Sequence, residues 1–357
     1  MLGRLGSKYF LAMAVFAAAL ASGATARAHE GGGDEHGGGH GEGGHGDGGH
    51  GEGEGGQHGE GNAQHRHGKH HPHEHKATIG LDFVAGFGKV PFAVQSAPPP
   101  NGAPPGYESG AARTASQSFV LGTAFHLLPH TAFGVRLPFS FGEFSPPDGS
   151  TRGTGALGNI ELEAEYERHM SHHLELFFVL GFSMPTGQGN PIPENIGELP
   201  NSAIDVGLLD KGALNRAASL ARGGEETALF ELKRWGINPK IGVNYRMGAL
   251  TITPYIKMEN LIASTSSLAK GYLGELIPAV RAGYRVGQFE PALKLWAPII
   301  FAGAEEGEKK VGFVVEPQLV FHHGNVRPML GVIIPVAGPA ADPSTNIGVR
   351  LGVAAAF

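Results

Sequence analysis

The sequence predicts an all-β fold: a transmembrane antiparallel up-and-down β-barrel of about twelve strands, with a disordered His- and Gly-rich N-terminal tail. Three observations predict this fold. Apolar residues alternate with polar or small residues in many segments, the connections between these segments are alternately short and long, and the final apolar segment ends in Phe357. Successive side chains of a strand point to opposite faces, so such segments present one face to lipid and one to an aqueous lumen.

The first 28 residues are predicted to be a secretory signal peptide. Arg4 and Lys8 form a positively charged start, residues 10–20 are apolar, and Ala26-Arg27-Ala28 has the small-x-small pattern of a cleavage site. The mature chain is therefore expected to begin at His29. The apolar stretch is shorter than the roughly 20 residues that a membrane-spanning helix needs. The chain has no Cys, which excludes disulfides, thiol catalysis and a lipoprotein anchor on cysteine.

Residues 29–76 are expected to be a disordered tail in the periplasm. This segment holds 12 His, 19 Gly and nine Asp or Glu, and it lacks Leu, Ile, Val, Phe, Tyr, Trp and Met. Without apolar surface to bury, a segment cannot offset the entropy cost of ordering.

The same segment is a candidate binder of divalent metal ions. Imidazole is a common ligand for Zn, Ni and Cu, and a glycine-rich backbone lets several side chains reach one ion, so weak multi-site binding is predicted. A solvated linker and a pH-responsive tail are the alternatives. The candidate ligands are His29, His36, His40, His45, His50, His58, His65, His67, His70, His71, His73 and His75.

Residues 77–357 are predicted to form the outer-membrane β-barrel. At its start, Ile79, Leu81 and Phe83 alternate with Gly80 and Asp82, and this period of two returns along the chain. No later segment has 18 uninterrupted apolar residues, so no transmembrane helix competes with the barrel. The expected strands are 78–88, 117–127, 131–142, 157–168, 172–184, 232–246, 250–260, 273–286, 288–301, 311–322, 325–336 and 345–357.

The connections between these strands alternate in length and thereby predict an orientation. Five are short, and six are longer: 89–116, 143–156, 185–231, 261–272, 302–310 and 337–344. Outer-membrane barrels have short periplasmic turns and longer extracellular loops. An even number of strands then places both barrel ends in the periplasm, in the outer membrane of a Gram-negative bacterium. Seven further histidines fall in or beside the short turns and are candidate rim metal ligands: His126, His130, His169, His172, His173, His322 and His323.

Charged residues on the polar faces are predicted to line the lumen. Acidic residues dominate in the first strands and basic residues in the later ones. Two interpretations follow: a channel with oppositely charged walls, or a narrow lumen that salt bridges hold closed. The predicted lumen residues are Asp82, Arg136, Glu161, Glu163, Glu165, Glu175, Lys240, Arg246, Lys257, Arg281, Arg285, Lys294, Glu316, Arg327 and Arg350.

The longest loop contains apolar residues at helical spacing. Ile204, Leu208, Leu209, Leu214 and Leu220 are among them, and Gly223-Gly224 follows. A helix is therefore expected within residues 185–231. It would be either a gate in the bore or a lid packed on the rim.

Two segments resemble a known family of outer-membrane channels, the one named for the meta-pathway of phenol degradation. The first is Leu157-Gly158-Asn159 followed by the alternating residues 160–168, and the second runs from Leu180 to Pro185-Thr186-Gly187. Residues 136–141 also fit. Asn159 replaces the family's usual Asp, and the His-rich tail is not part of the family pattern. The resemblance implies a barrel that transports small, including aromatic or apolar, solutes. The last strand, ending in Phe357, resembles the C-terminal signal that the barrel-assembly machinery reads.

The functional expectation is a non-enzymatic outer-membrane channel for small solutes with a metal-binding periplasmic tail. The alternatives are a metal-handling protein that the barrel anchors, and a structural barrel without transport. No cofactor is required, and the expected partners are lipid, the barrel-assembly machinery, a small solute and divalent metal ions. His169-Met170-Ser171 has the His-x-Ser spacing of an outer-membrane phospholipase, but it lies in a predicted periplasmic turn without the surrounding motif. The net charge of −6 gives no reason to expect nucleic-acid binding.

Overall fold

The structure, a computed structural model, describes residues 77–95, 107–128, 130–147, 149–191, 204–266, 271–304, 309–341 and 346–357. The predicted signal peptide and the His-rich tail lie outside the described residues. No helix in the described ranges is long and apolar enough to cross a membrane.

Strands dominate the described part of the chain. They are β1 (Ala77–Gln95), β2 (Tyr107–Leu128), β3 (Thr131–Ser145), β4 (Arg152–Leu157), β5 (Glu161–His169), β6 (Leu174–Ser183), β7 (Arg234–Met247), β8 (Leu250–Ala263), β9 (Tyr272–Tyr284), β10 (Phe289–Trp296), β11 (Ile299–Ala302), β12 (Phe313–Phe321), β13 (Val326–Ala337) and β14 (Ile347–Ala356). Two helices, α1 (Val206–Ala221) and α2 (Thr227–Phe230), lie between β6 and β7.

Antiparallel pairing closes these strands into a barrel. Neighbours in sequence are neighbours in the sheet, β14 pairs with β1, and β9 pairs with both β10 and β11. Two of the barrel strands are interrupted. β4 and β5 both pair with β3 and form one of them, whereas β10 and β11 both pair with β9 and form the other. The barrel therefore has twelve strands in the described residues, which confirms the predicted count. Closure of β14 onto β1 lets neighbouring strands pair each other's backbone groups, which find no other partners in lipid.

A proline lies at each interruption, and proline has no N–H to donate to a sheet. Pro298 separates β10 from β11. Opposite the gap between β4 and β5 lies Pro138, whose carbonyl accepts a hydrogen bond from the Gly158 N–H at 3.0 Å. The prediction of one unbroken strand over 157–168 was wrong. The chain breaks between β4 and β5, and β4 begins within the predicted loop 143–156.

The first hairpin is taller than the sequence predicts. β1 and β2 pair continuously from Ala77 with Phe125 to Gln95 with Tyr107, so the predicted loop 89–116 was too long. The extra length has a packing cause: Val90, Phe92 and Ala112 are buried in one cluster with residues of α1. The prediction failed because the side chains of these residues pack against a helix that is distant in the sequence.

The outer surface of the barrel is apolar. Ile79, Phe133, Phe178, Ile241 and Leu319 are among many large apolar side chains that are exposed, while their sequence neighbours face the bore. Large contiguous apolar surfaces are rare on soluble monomers. This outer face is suited to lipid and gives the barrel its transmembrane character.

Both ends of the barrel chain lie at the rim with the short turns. The Ala77 N–H donates to the carbonyl of Phe357 at 3.3 Å, and the Phe357 N–H donates to the carbonyl of Ala77 at 2.9 Å. The long connections, including the helical one, leave from the opposite rim. This alternation agrees with the sequence, whereas the assignment of the short-turn rim to the periplasm stays a prediction.

Candidate functional site: the bore and its plug

The helix predicted in the longest loop lies inside the barrel. Asp205 caps its start, because its Oδ1 accepts a hydrogen bond from the Leu208 N–H at 3.1 Å. The helix ends at Ala221, and Gly223 and Gly224 shortly after it have positive φ, a conformation that favours glycine. Ala213, Leu214 and Ala218 are buried against the wall. We call residues 204–231 the plug, since the structure decides for a position in the bore rather than a lid on the rim.

Small residues of the wall make room for the plug. A Cβ on Gly86 of β1 would lie 2.3 Å from the Cβ of Ala221, and one on Gly348 of β14 would lie 2.2 Å from the Ala221 carbonyl oxygen. On β3, a Cβ on Gly142 would lie 2.7 Å from Leu214 Cδ1. The helix therefore approaches the wall at distances that only glycine permits there.

Arg222, at the end of α1, ties the plug to β1 and β2. Its Nη1 lies 2.5 Å from both Asp82 Oδ2 and Glu226 Oε2, and its Nε donates to Ser118 Oγ at 3.0 Å. Only 1% of the arginine is exposed, so these partners replace the water that it loses.

Glu226 is the point where three wall and plug arginines meet. It accepts a hydrogen bond from Arg136 of β3, it pairs with Arg222, and Arg350 of β14 lies 4.0 Å away. Arg350 also holds Asp82 through two bonds of 2.8 and 2.9 Å. Two-point contact of this kind is the strong form of an arginine–carboxylate pair.

Glu225 makes the second connection, on the other side of the bore. Lys294 of β10 donates to both carboxylate oxygens at 2.6 and 2.5 Å, and the hydroxyl of Tyr255 on β8 also donates to it. Lys257 donates to the backbone carbonyl of Glu225 at 2.8 Å. Adjacent residues of the plug thus bind opposite walls.

Glu225 and Glu226 lie outside the barrel strands, and both carboxylates stay ionised at neutral pH. Burial raises the pKa of Glu226, but Arg136, Arg222 and Arg350 outweigh it and hold the pKa well below its usual range. Burial acts in the same direction on Glu225, while Lys294 and Arg350 lower its pKa to about 2. The attraction between these two carboxylates and their cationic partners is therefore complete above the usual glutamate pKa. It is lost as the pH falls toward 2.

The end of the plug is held at the gap between β4 and β5. The buried amide of Asn159 donates through Nδ2 to the Ala228 carbonyl at 2.9 Å and accepts through Oδ1 from the Gly187 N–H at 3.0 Å. An aspartate could not donate to that carbonyl, which gives a reason for Asn at this position. The Ala228 N–H donates to Glu259 of β8 at 2.8 Å.

Between the plug and the short-turn rim lies an unfilled part of the bore, which we call the chamber. Its volume is about 370 Å³. Asp82, Arg136, Arg350 and Glu226 line it beside the plug. Val120, Val320, Met329 and Arg327 line its walls and its mouth. The chamber thus runs from the short-turn rim to the plug.

The structure places most of the predicted lumen residues in contact with the bore. Asp82, Arg136, Lys257, Lys294 and Arg350 contact the plug directly. Others pair within the wall: Glu161 with Asn238, Glu316 with Arg350, Arg281 with Glu290, and Lys240 with the ring of Tyr255. Glu163 lies 3.6 Å from Arg136. Glu175 and Arg246, 3.9 Å apart, and Arg285 lie near the short turns, while Glu165 is on the inner face of β5.

The seven rim histidines all lie at the short-turn end, but the described residues contain no group of three side chains arranged to hold a metal ion. His169 pairs with Glu175 at 3.2 Å, and His322 pairs with Glu290 at 2.8 Å. His323 stacks on Phe321. His126 lies on β2, and His130, His172 and His173 lie in or beside turns. In the His169-Met170-Ser171 segment, Ser171 Oγ accepts a hydrogen bond from the His173 N–H. The Nδ1 of His169 faces Glu175.

Sequence reasoning missed three charged residues of the plug that bind the wall: Arg222, Glu225 and Glu226. It also missed Tyr255, Glu259 and Asn159 as plug contacts. A signal was present, because these three charges follow an apolar helix and flank the Gly223-Gly224 pair. Nothing in the local pattern says that they point into the barrel.

Comparison with known proteins supports the fold. No family model and no curated protein matches this chain. An outer membrane channel from Pseudomonas putida F1 superposes with a TM-score of 0.50 at 12% sequence identity, over 79% of this chain and 96% of that chain. At this identity the similarity shows the barrel fold alone.

More distant similarities are the β domain of the Bordetella autotransporter BrkA and the NanC porin. The first has a TM-score of 0.44 at 10% identity, over 79% of this chain and all (100%) of that chain. The second has a TM-score of 0.42 at 8% identity, over 78% and 100%. The resemblance to the phenol meta-pathway family stays a prediction.

Proposed function

We propose that this protein is an outer-membrane channel for small solutes, and that the plug is its closed gate. The observation that carries the proposal is how the bore is filled. Wall residues leave space, through glycines and small side chains, for one continuous loop segment that enters and leaves at the same rim.

The contacts of the plug suit a segment that can leave. Beside the apolar contacts of α1 with the wall, ion pairs and hydrogen bonds hold the plug, and these polar groups can be hydrated once it moves. Aromatic or apolar solutes, which the family resemblance implies, remain the expected cargo. Non-enzymatic action is part of the proposal.

Flux measurements test this function. A variant with a short Gly/Ser linker in place of residues 204–230 is expected to make liposomes permeable to small uncharged solutes, whereas the wild-type protein passes them slowly. Unaltered heat-dependent mobility in gels would show that the variant still forms a barrel. If the folded variant leaves liposomes as tight as protein-free ones, the channel proposal is wrong and an anchoring role is favoured.

We also propose that the tail, residues 29–76, binds divalent metal ions near the short-turn rim. β1 begins with Ala77 at that rim, so the tail is attached to the barrel at the end that carries the rim histidines. Titration of Zn²⁺ or Ni²⁺ into the full-length protein is expected to show several weak sites at neutral pH. Their affinity should fall below about pH 6.5, where imidazole becomes protonated. Equal uptake by a variant that lacks residues 29–76 would refute this role of the tail.

A further inference from the structure

The volume and the lining residues of the chamber resemble those of a small-molecule binding site. Its volume of about 370 Å³ falls within the roughly 300–1,000 Å³ typical of such sites. Val120, Val320 and Met329 supply apolar wall surface. Gly80, Gly122 and Gly352 keep the wall free of side chains. An apolar body of modest size therefore fits between the plug and the mouth.

The charges around the chamber differ in whether they have partners. Arg350 holds Asp82 and lies 3.4 Å from Glu316, and Arg136 holds Glu226. Arg327, on β13 at the mouth, is exposed, and among the described residues no carboxylate or hydrogen-bond acceptor pairs with it. Its neighbour across the sheet is Ala354, which is too small to cover it. The chamber thus presents one guanidinium with all its donors available to a ligand.

We propose that the chamber binds a small organic carboxylate, with its anionic group on Arg327 and its apolar body against Val120, Val320 and Met329. A guanidinium presents paired N–H donors that match the two oxygens of a carboxylate. This inference rests on the proposed channel function and names the solute class. Phosphate and sulfate esters share the charge, but the apolar walls favour a ligand with one compact anionic group.

The test is a fluorine NMR titration of 4-fluorobenzoate into the full-length protein in detergent micelles. Saturable binding to the wild-type protein is expected. Arg327→Gln should weaken it by about tenfold or more, which is the usual range for one hydrogen bond to a charged group. The neutral probe 4-fluorobenzamide should bind at least tenfold more weakly than 4-fluorobenzoate, since it lacks the charge.

Arg285→Gln is the matched control. Arg285 is also a rim arginine, but its Nε donates to the Gly287 carbonyl at 3.1 Å and it does not line the chamber, so this variant should bind as the wild type does. Unchanged affinity in Arg327→Gln, no saturable binding to the wild type, or equal binding of the amide would each overturn the inference. Because binding is measured without flux, a failure here is separate from a failure of the liposome experiment.

Discussion

Replacing Glu225 and Glu226 together by glutamine is expected to raise the open probability of the channel in planar bilayers by about a hundredfold or more. Both side chains are buried, and their loss leaves Arg136, Arg350 and Lys294 without their plug partners. Removing one member of a buried ion pair costs about 3–5 kcal/mol, and each 1.4 kcal/mol is tenfold in an equilibrium. The cost falls on the plugged state, because water can hydrate these cations once the plug leaves.

Glu231→Gln is the control for this experiment. Glu231 belongs to the same plug but is a quarter exposed, and its contacts with Arg234 and Arg216 are 3.5 and 4.0 Å long. Loose, partly hydrated pairs contribute about 0–1 kcal/mol, so the open probability should change by less than about tenfold. Equal behaviour of the two variants would show that the buried charges do not hold the plug.

The second large effect is expected from Gly86→Val, which changes no charge. The new side chain would occupy the space of Ala221, whose Cβ lies 2.3 Å from the position of the added Cβ, and Ser116 Oγ lies 2.7 Å away. Overpacking costs about 1–3 kcal/mol, so the plugged state should lose about fivefold to a hundredfold in population. Valine also favours strands, so the barrel should form as before. Single-channel recording measures the change.

Gly80→Val provides the comparison on the same face of the same strand. There the nearest heavy atom to an added Cβ is the Val353 carbonyl oxygen at 3.7 Å, an ordinary contact. This variant should stay as closed as the wild type. If Gly86→Val also stays closed while both variants fold, the helix does not need the space that Gly86 leaves, and its place in the bore is wrong.

Local sequence patterns were sufficient to predict the strands that form the wall of the barrel. Alternation along β1, β3 or β7 is repeated within each strand, and lipid on one side and water on the other impose it residue by residue. Local patterns failed where a contact partner was distant. The upper parts of β1 and β2 depend on α1, and β4 depends on pairing with the upper part of β3, so their bounds were missed.

The sequence by itself determined the strand count, the alternation of connection lengths and the existence of a helix near residues 204–220. Each follows from periodicity or composition within a short window. Only the tertiary structure decided that the helix enters the bore, that Glu225 and Glu226 bind opposite walls, and that no described residue pairs with Arg327. These facts depend on which charges meet across the barrel. That is set by closure of β14 onto β1, which brings Arg350 and Asp82 together across 268 positions of the chain.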